Sequence, residues 1–200
     1  MKHARHAKGN EAYMKKRLFA FASAIAVCCA LAAGGTLAYF SAEEKEHNVI
    51  TSGGVDIALN EWQLQEDGSL VPFADQTDVM PGVSVSKIVE VENTGPAPAW
   101  IRVKADKDIQ LADGTDADAS VATMDFNEAA WTYADGWWYY NQILPAGQTT
   151  EPLFTAVTFA AHMGNEYQES KATVDVTAQA VQSDNNSDSV LTATGWPQAL

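Results

Sequence analysis

Thiols are the scarcest side chains in this 200-residue chain: Cys28 and Cys29 are its only cysteines, and both lie in one apolar run. If that run is removed, the remainder has neither a disulfide framework nor a cysteine metal site. A lipid anchor on either thiol is disfavoured, because that signal wants a small residue before the cysteine and Val27 precedes Cys28. Positive charge is nearly as scarce beyond residue 17. Lys2, Arg5, Lys8, Lys15, Lys16 and Arg17 account for six of the twelve Lys and Arg residues, opposed there only by Glu11. The rest of the chain carries six basic and 25 acidic residues, a net charge of −19. Such a body repels phosphate instead of releasing its counterions, which excludes nucleic acid as a partner, and it gains nothing from anionic lipid.

Sequence marks of catalysis are also missing. There is no His-Glu-x-x-His, so the usual helical zinc-protease site is absent, and no Gly-x-Ser-x-Gly or persuasive triad. Beyond the basic front only His47 and His162 occur, far apart, and both read as loop residues. Asp113-Gly114-Thr115-Asp116-Ala117-Asp118 offers carboxylates but does not follow the EF-hand pattern, so it reads as a solvated acidic loop, as does Asp184 to Asp188. No catalytic residue, cofactor site or metal site is assigned, and the chain is expected not to be an enzyme.

What is present begins with a leader. A basic region over 1–17 precedes an apolar region over 18–33, and 34–38 has the small residues of a cleavage region. Lys15-Lys16-Arg17 holds the start on the cytoplasmic side. Thr36 and Ala38 occupy the two positions a signal peptidase reads, which puts the cut between Ala38 and Tyr39. The alternative is an uncleaved anchor, since Leu18 to Phe40 is long enough to span a core of roughly 30 Å. Either way the C-terminal body is expected outside the cytoplasm, touching the membrane only through the leader.

That body reads as β. Val55, Ile57 and Leu59 alternate with polar or small residues, and the same period of two recurs over 85–92, 100–105 and 172–180. Trp131 to Ala134, then Asp135-Gly136, then Trp137 to Tyr140 is a hairpin signal, because both turn positions of a type I′ turn take positive φ. A further strand is expected over 153–159, and short helices near 123–130 and 164–170. Seven or eight strands predict an all-β, antiparallel two-sheet sandwich over 53–182. A mature N-terminal segment over 39–52 precedes it and a tail over 183–200 follows. The alternation by itself leaves jelly-roll and immunoglobulin-like sandwiches open.

The leader, ending Gly34-Gly35-Thr36-Leu37-Ala38-Tyr39-Phe40, resembles the export signal of the TasA/camelysin family. So do Ser52-Gly53-Gly54-Val55-Asp56-Ile57-Ala58-Leu59, Met80-Pro81-Gly82 and Asn93-Thr94-Gly95, in that order. The resemblance implies processing by a SipW-type signal peptidase, a jelly roll, and a secreted biofilm-matrix component that self-associates into fibres. A freed N-terminal strand completing a neighbour's sheet edge is a physical route to such a filament. Two alternatives stand beside it. Aromatic side chains of the hairpin, Trp131, Trp138 and Tyr140, are the candidate partner-binding residues of an adhesin or carbohydrate-binding module. Camelysin's description as a metalloprotease raises a secreted protease.

Overall fold

The computed structural model describes residues 41–43, 48–52, 54–74 and 81–197. The expected leader and its cleavage residues Thr36, Ala38 and Tyr39 lie outside the described residues. The described residues form eleven strands: β1 (Ser41–Glu43), β2 (Asn48–Ser52), β3 (Ile57–Leu64), β4 (Leu70–Pro72), β5 (Ser84–Asn93), β6 (Ala99–Gln110), β7 (Ala122–Met124), β8 (Trp131–Ala134), β9 (Trp137–Tyr140), β10 (Phe154–Phe159) and β11 (Lys171–Gln182). They form two sheets, ordered β1-β11-β6-β9-β8, with β2 also on β11, and β4-β3-β5-β10-β7. Antiparallel pairing is general, and β1 and β2 are the exceptions, both lying parallel to β11. The long-range neighbours β6·β11 and β5·β10 are the crossovers of a wound sandwich, whereas β3·β5 and β8·β9 stay beside their neighbours in sequence.

The period-two pattern becomes the core because the two inner faces meet. Ile57 and Leu59 of β3, Val89 and Val91 of β5, Ile101 and Val103 of β6, and Ala178 and Ala180 of β11 are all buried together. Branched residues face small ones across β6 and β11, with Ile101 opposite Ala180, Val103 opposite Ala178 and Ile109 opposite Ala172. This large-against-small pairing lets a second sheet approach without voids. An ion pair lies in the interior: Lys87 contacts Glu61, both are buried, and the ammonium sits 3.9 Å from the Phe73 ring centroid.

The turn motifs have structural jobs. Asn93 is fully buried; its Nδ2 donates to the carbonyls of Ala97 at 2.8 Å and Leu144 at 3.0 Å, and its Oδ1 accepts from Gly95 N–H. A Cβ on Gly95 would fall 2.6 Å from the Asp56 backbone nitrogen, so the close approach of two chain segments requires glycine there. Asp135 and Gly136 take φ of 50° and 82°, as the hairpin signal requires.

Two expectations are corrected. Residues 123–130 are not a helix: β7 occupies Ala122–Met124, Glu128 to Ala130 form a turn, and a 3-10 turn lies just before, at Ala119–Val121. The second expected helix is only a 3-10 turn at Asn165–Tyr167. The sandwich also extends past its expected limits of 53 and 182. β1 and β2 lie along β11, and residues beyond Gln182 fold back onto the sheet instead of trailing as a tail. Among the described residues no helix is long and apolar enough to cross a membrane.

Candidate interaction surface

The hairpin β8–β9 is an aromatic element with two faces, since successive side chains on a strand point opposite ways. Trp138 and Tyr140 turn inward with Trp131. Trp131 is 1 % exposed, and its indole N–H donates to the Glu151 carbonyl at 3.1 Å. Tyr140 packs at 5.0 Å from Trp131, and Trp138 stacks on Phe126 at 4.3 Å. The exposed patch expected at Trp131, Trp138 and Tyr140 is therefore corrected. These residues fill the space between the sheets because the short hairpin forms the rim of its sheet, and large rings close the gap there. The aromatic residue of the hairpin that reaches solvent is Tyr133, 60 % exposed and 5.0 Å from Trp138.

Trp137 and Tyr139 turn outward, where residues 183–197 cover them. Val190 and Ala193 bury against Trp100, Tyr139 and Val181, and Trp196 packs on the same cluster. At its centre the Arg102 guanidinium lies between two indoles, 4.2 Å from Trp137 and 4.5 Å from Trp196. Arg102 Nε and Nη2 both donate to Gln179 Oε1, at 2.9 and 2.7 Å, which fixes the plane of the fork. Trp196 also meets Tyr139 edge-on at 6.0 Å. The segment is held by Asn186, whose Nδ2 donates to the carbonyls of Gln182 and Thr194, and by Trp100 Nε1 donating to the Ser187 carbonyl. Sequence reasoning missed this clamp. Its signal was available: Trp100, Arg102, Trp137 and Tyr139 put large side chains on strand faces that alternation assigns to solvent, and Trp196 waits in a polar tail.

In the 113–118 loop, Asp113 and Asp118 bond to their own turns. Hydrogen bonds from the Thr115 hydroxyl and N–H hold Asp113 below the ordinary carboxylate value, and those from Ser120 do the same for Asp118. His162 is exposed. His47 lies outside the described residues. Among the described residues no three His, Cys, Asp or Glu side chains gather into a group able to hold a metal ion.

Fold and surface define an all-β two-sheet sandwich with one aromatic outer face covered by its own C-terminal segment. The chain belongs to the camelysin family: the family model described as Camelysin metallo-endopeptidase matches residues 13–130, more than half of its length. TasA-type proteins fall in the same family, whose members are exported or surface-associated. No individual curated protein and no solved structure matches the chain. The metal in the family description finds no fitting donor set among the described residues, so no hydrolytic step is derived through one.

Proposed function

We propose that this protein is a non-enzymatic structural component of the cell surface or extracellular matrix, assembled into fibres after a SipW-type peptidase removes the leader between Ala38 and Tyr39. The observation that carries the reading is the pairing of β1 and β2. The first residues after the cut lie parallel to β11, with Ser41 to Glu43 beside Lys171 to Thr173 and Asn48 to Ser52 beside Thr177 to Val181. The pairing is made of main-chain hydrogen bonds, which any copy of the same strand reproduces. A segment that leaves its own β11 for that of a neighbour conserves those bonds, and head-to-tail repetition gives an open filament.

Charge sets the conditions. A body at −19 repels its copies, so salt, acid or divalent cations lower the barrier to association. The test is N-terminal sequencing and particle sizing of protein recovered from medium and cell surface. A start at Tyr39 with elongated particles that grow with salt supports the reading. Cleaved protein that stays monomeric across salt, pH and calcium counts decisively against it. An intact N-terminus in the membrane fraction removes the trigger.

A second reading, an adhesin or carbohydrate-binding module, is favoured by one feature, the exposed Tyr133 ring beside Trp138. Glycan binding lost on Tyr133→Ala, with unchanged thermal unfolding, is its expected signature.

A further inference from the structure

Strand β6 is twelve residues long, and its two ends have neighbours on both sides, but the stretch around Ala105 and Lys107 has one only on the β11 side. β11 pairs with all of it, whereas β9 pairs only with Arg102 and Val103. Its main-chain groups alternate in direction. Ala99 exchanges hydrogen bonds with Leu144 on the side away from β11, the Ile109 carbonyl accepts from Ala117 N–H there, and Leu111 N–H donates to the Thr115 carbonyl there. By the two-residue period, Ala105 and Lys107 aim N–H and C=O the same way. Among the described residues nothing pairs with those groups on that side. The hairpin turn at Asp135-Gly136 ends the sheet just short of them.

The unpaired edge borders a groove of about 330 Å³ lined by Ala105, Lys107, Met124, Phe126, Tyr133 and Trp138. Its far wall is β7, which pairs only with β10. Lys107 crosses the gap and donates to the Ala122 carbonyl, so its ammonium is engaged by β7. On the outer face of the same stretch Asp106 and Asp108 are exposed, and Lys104 balances only the first, at 2.6 Å. The site therefore has three parts: free strand hydrogen-bonding groups, an apolar and aromatic trough on the inner side, and net negative charge on the outer side.

We infer that this groove is a docking site for an extended segment of a partner polypeptide, apolar at alternate positions and basic between them, which adds antiparallel to β6 in line with β9. Alternation follows from the two unlike faces an added strand meets, and basic residues follow from Asp106 and Asp108. The charge of the whole body steers a cationic segment inward and disfavours a second copy of this chain. The site is on the opposite side of β6 from β11, β1 and β2, so it is separate from the strand exchange proposed above and outlives its failure.

The test uses the full chain and fluorescent heptapeptides. Lys-Val-Lys-Val-Lys-Val-Lys is expected to bind, and the Glu-Val counterpart to bind at least about tenfold more weakly. An added antiparallel strand points the main chain of its inward residues toward β6. N-methylation at the Val positions is therefore expected to abolish binding, whereas N-methylation at the Lys positions leaves it within about twofold. Tyr133→Ala, at an exposed residue, weakens binding several-fold without changing the unfolding midpoint. Equal binding of both methylated series overturns the proposal, because it leaves only diffuse charge attraction. Oligosaccharide binding that depends on Tyr133, with no peptide binding, also overturns it.

Discussion

Arg102 shows how a single side chain joins distant segments of this protein. It sits in the cluster that joins β6, β9, β11 and residues 183–197, and it meets them by stacking and a forked hydrogen bond. Lysine has neither the plane nor the fork. Arg102→Lys is expected to cost about 1–2 kcal/mol and Trp196→Ala about 2–3 kcal/mol, as lost packing and cation–π contact. Urea midpoints measure both. Trp131, buried and hydrogen-bonded in the main core, should cost more, about 3–5 kcal/mol as Trp131→Ala. The pair Lys87–Glu61 has the opposite logic. Removing one partner strands a buried charge, so Lys87→Met or Glu61→Leu alone should each destabilise by about 3–5 kcal/mol, and the double variant by clearly less than their sum. Asp125 is the residue to watch in acid. Partial burial raises its pKa, but bonds from the Thr155 hydroxyl and the N–H groups of Thr155 and Ala156 outweigh that and hold it below the ordinary value. Its folded pKa is depressed, so its contribution is complete above the unfolded value and disappears as pH falls through the folded one. Asp125→Asn should therefore cost about 1 kcal/mol at pH 7, discounted for exposure, and the difference from the parent should vanish toward pH 2. Midpoints at pH 7, 4 and 2 check the sign.

At the scale of elements, alternation made β3, β5, β6 and β11 legible, because each has one face in a continuous core and hydrophobic period maps directly onto burial. The β8–β9 hairpin was legible from Asp135-Gly136, since φ of 50° and 82° demands such residues. The short strands β4 and β7 were not, for three residues carry too little period to distinguish strand from turn. The motif Asn93-Thr94-Gly95 proved to be a joint: Asn93 satisfies two carbonyls, and Gly95 lets Asp56 pass. Gly95→Ala should cost about 2 kcal/mol by forcing backbone apart, with the loss visible as a lower melting temperature. Deleting residues 41–52 strips β1 and β2 from β11 and should leave a folded sandwich core with its β11 edge bare. Such an edge invites pairing, so the deletion variant should lose ordered filaments while gaining irregular aggregation in salt, distinguishable by electron microscopy.

At the scale of the molecule, two assignments were decided only by folding. The candidate aromatics Trp131, Trp138 and Tyr140 looked equally fit for surface or core, because a strand of four aromatics has no polar residue to mark its solvent side. The second sheet settled the choice by covering the inner face, and residues 183–197 covered the outer one. The β6 groove was invisible in sequence for a related reason: a missing neighbour is a property of two strand lengths, twelve residues against four, set by pairing.

The sequence alone determined the local and additive properties: an N-terminal region that runs from basic to apolar to small residues; an acidic remainder without thiols; strand periodicity; and turns whose φ angles restrict residue type. Each depends on neighbours along the chain or on a sum over it. Which aromatic faces are buried, which strand edge is already filled by β1 and β2, and which is left open at β6 were decided only by the tertiary structure. Those outcomes depend on what packs opposite a residue, and the partners lie as far apart as Arg102 and Trp196.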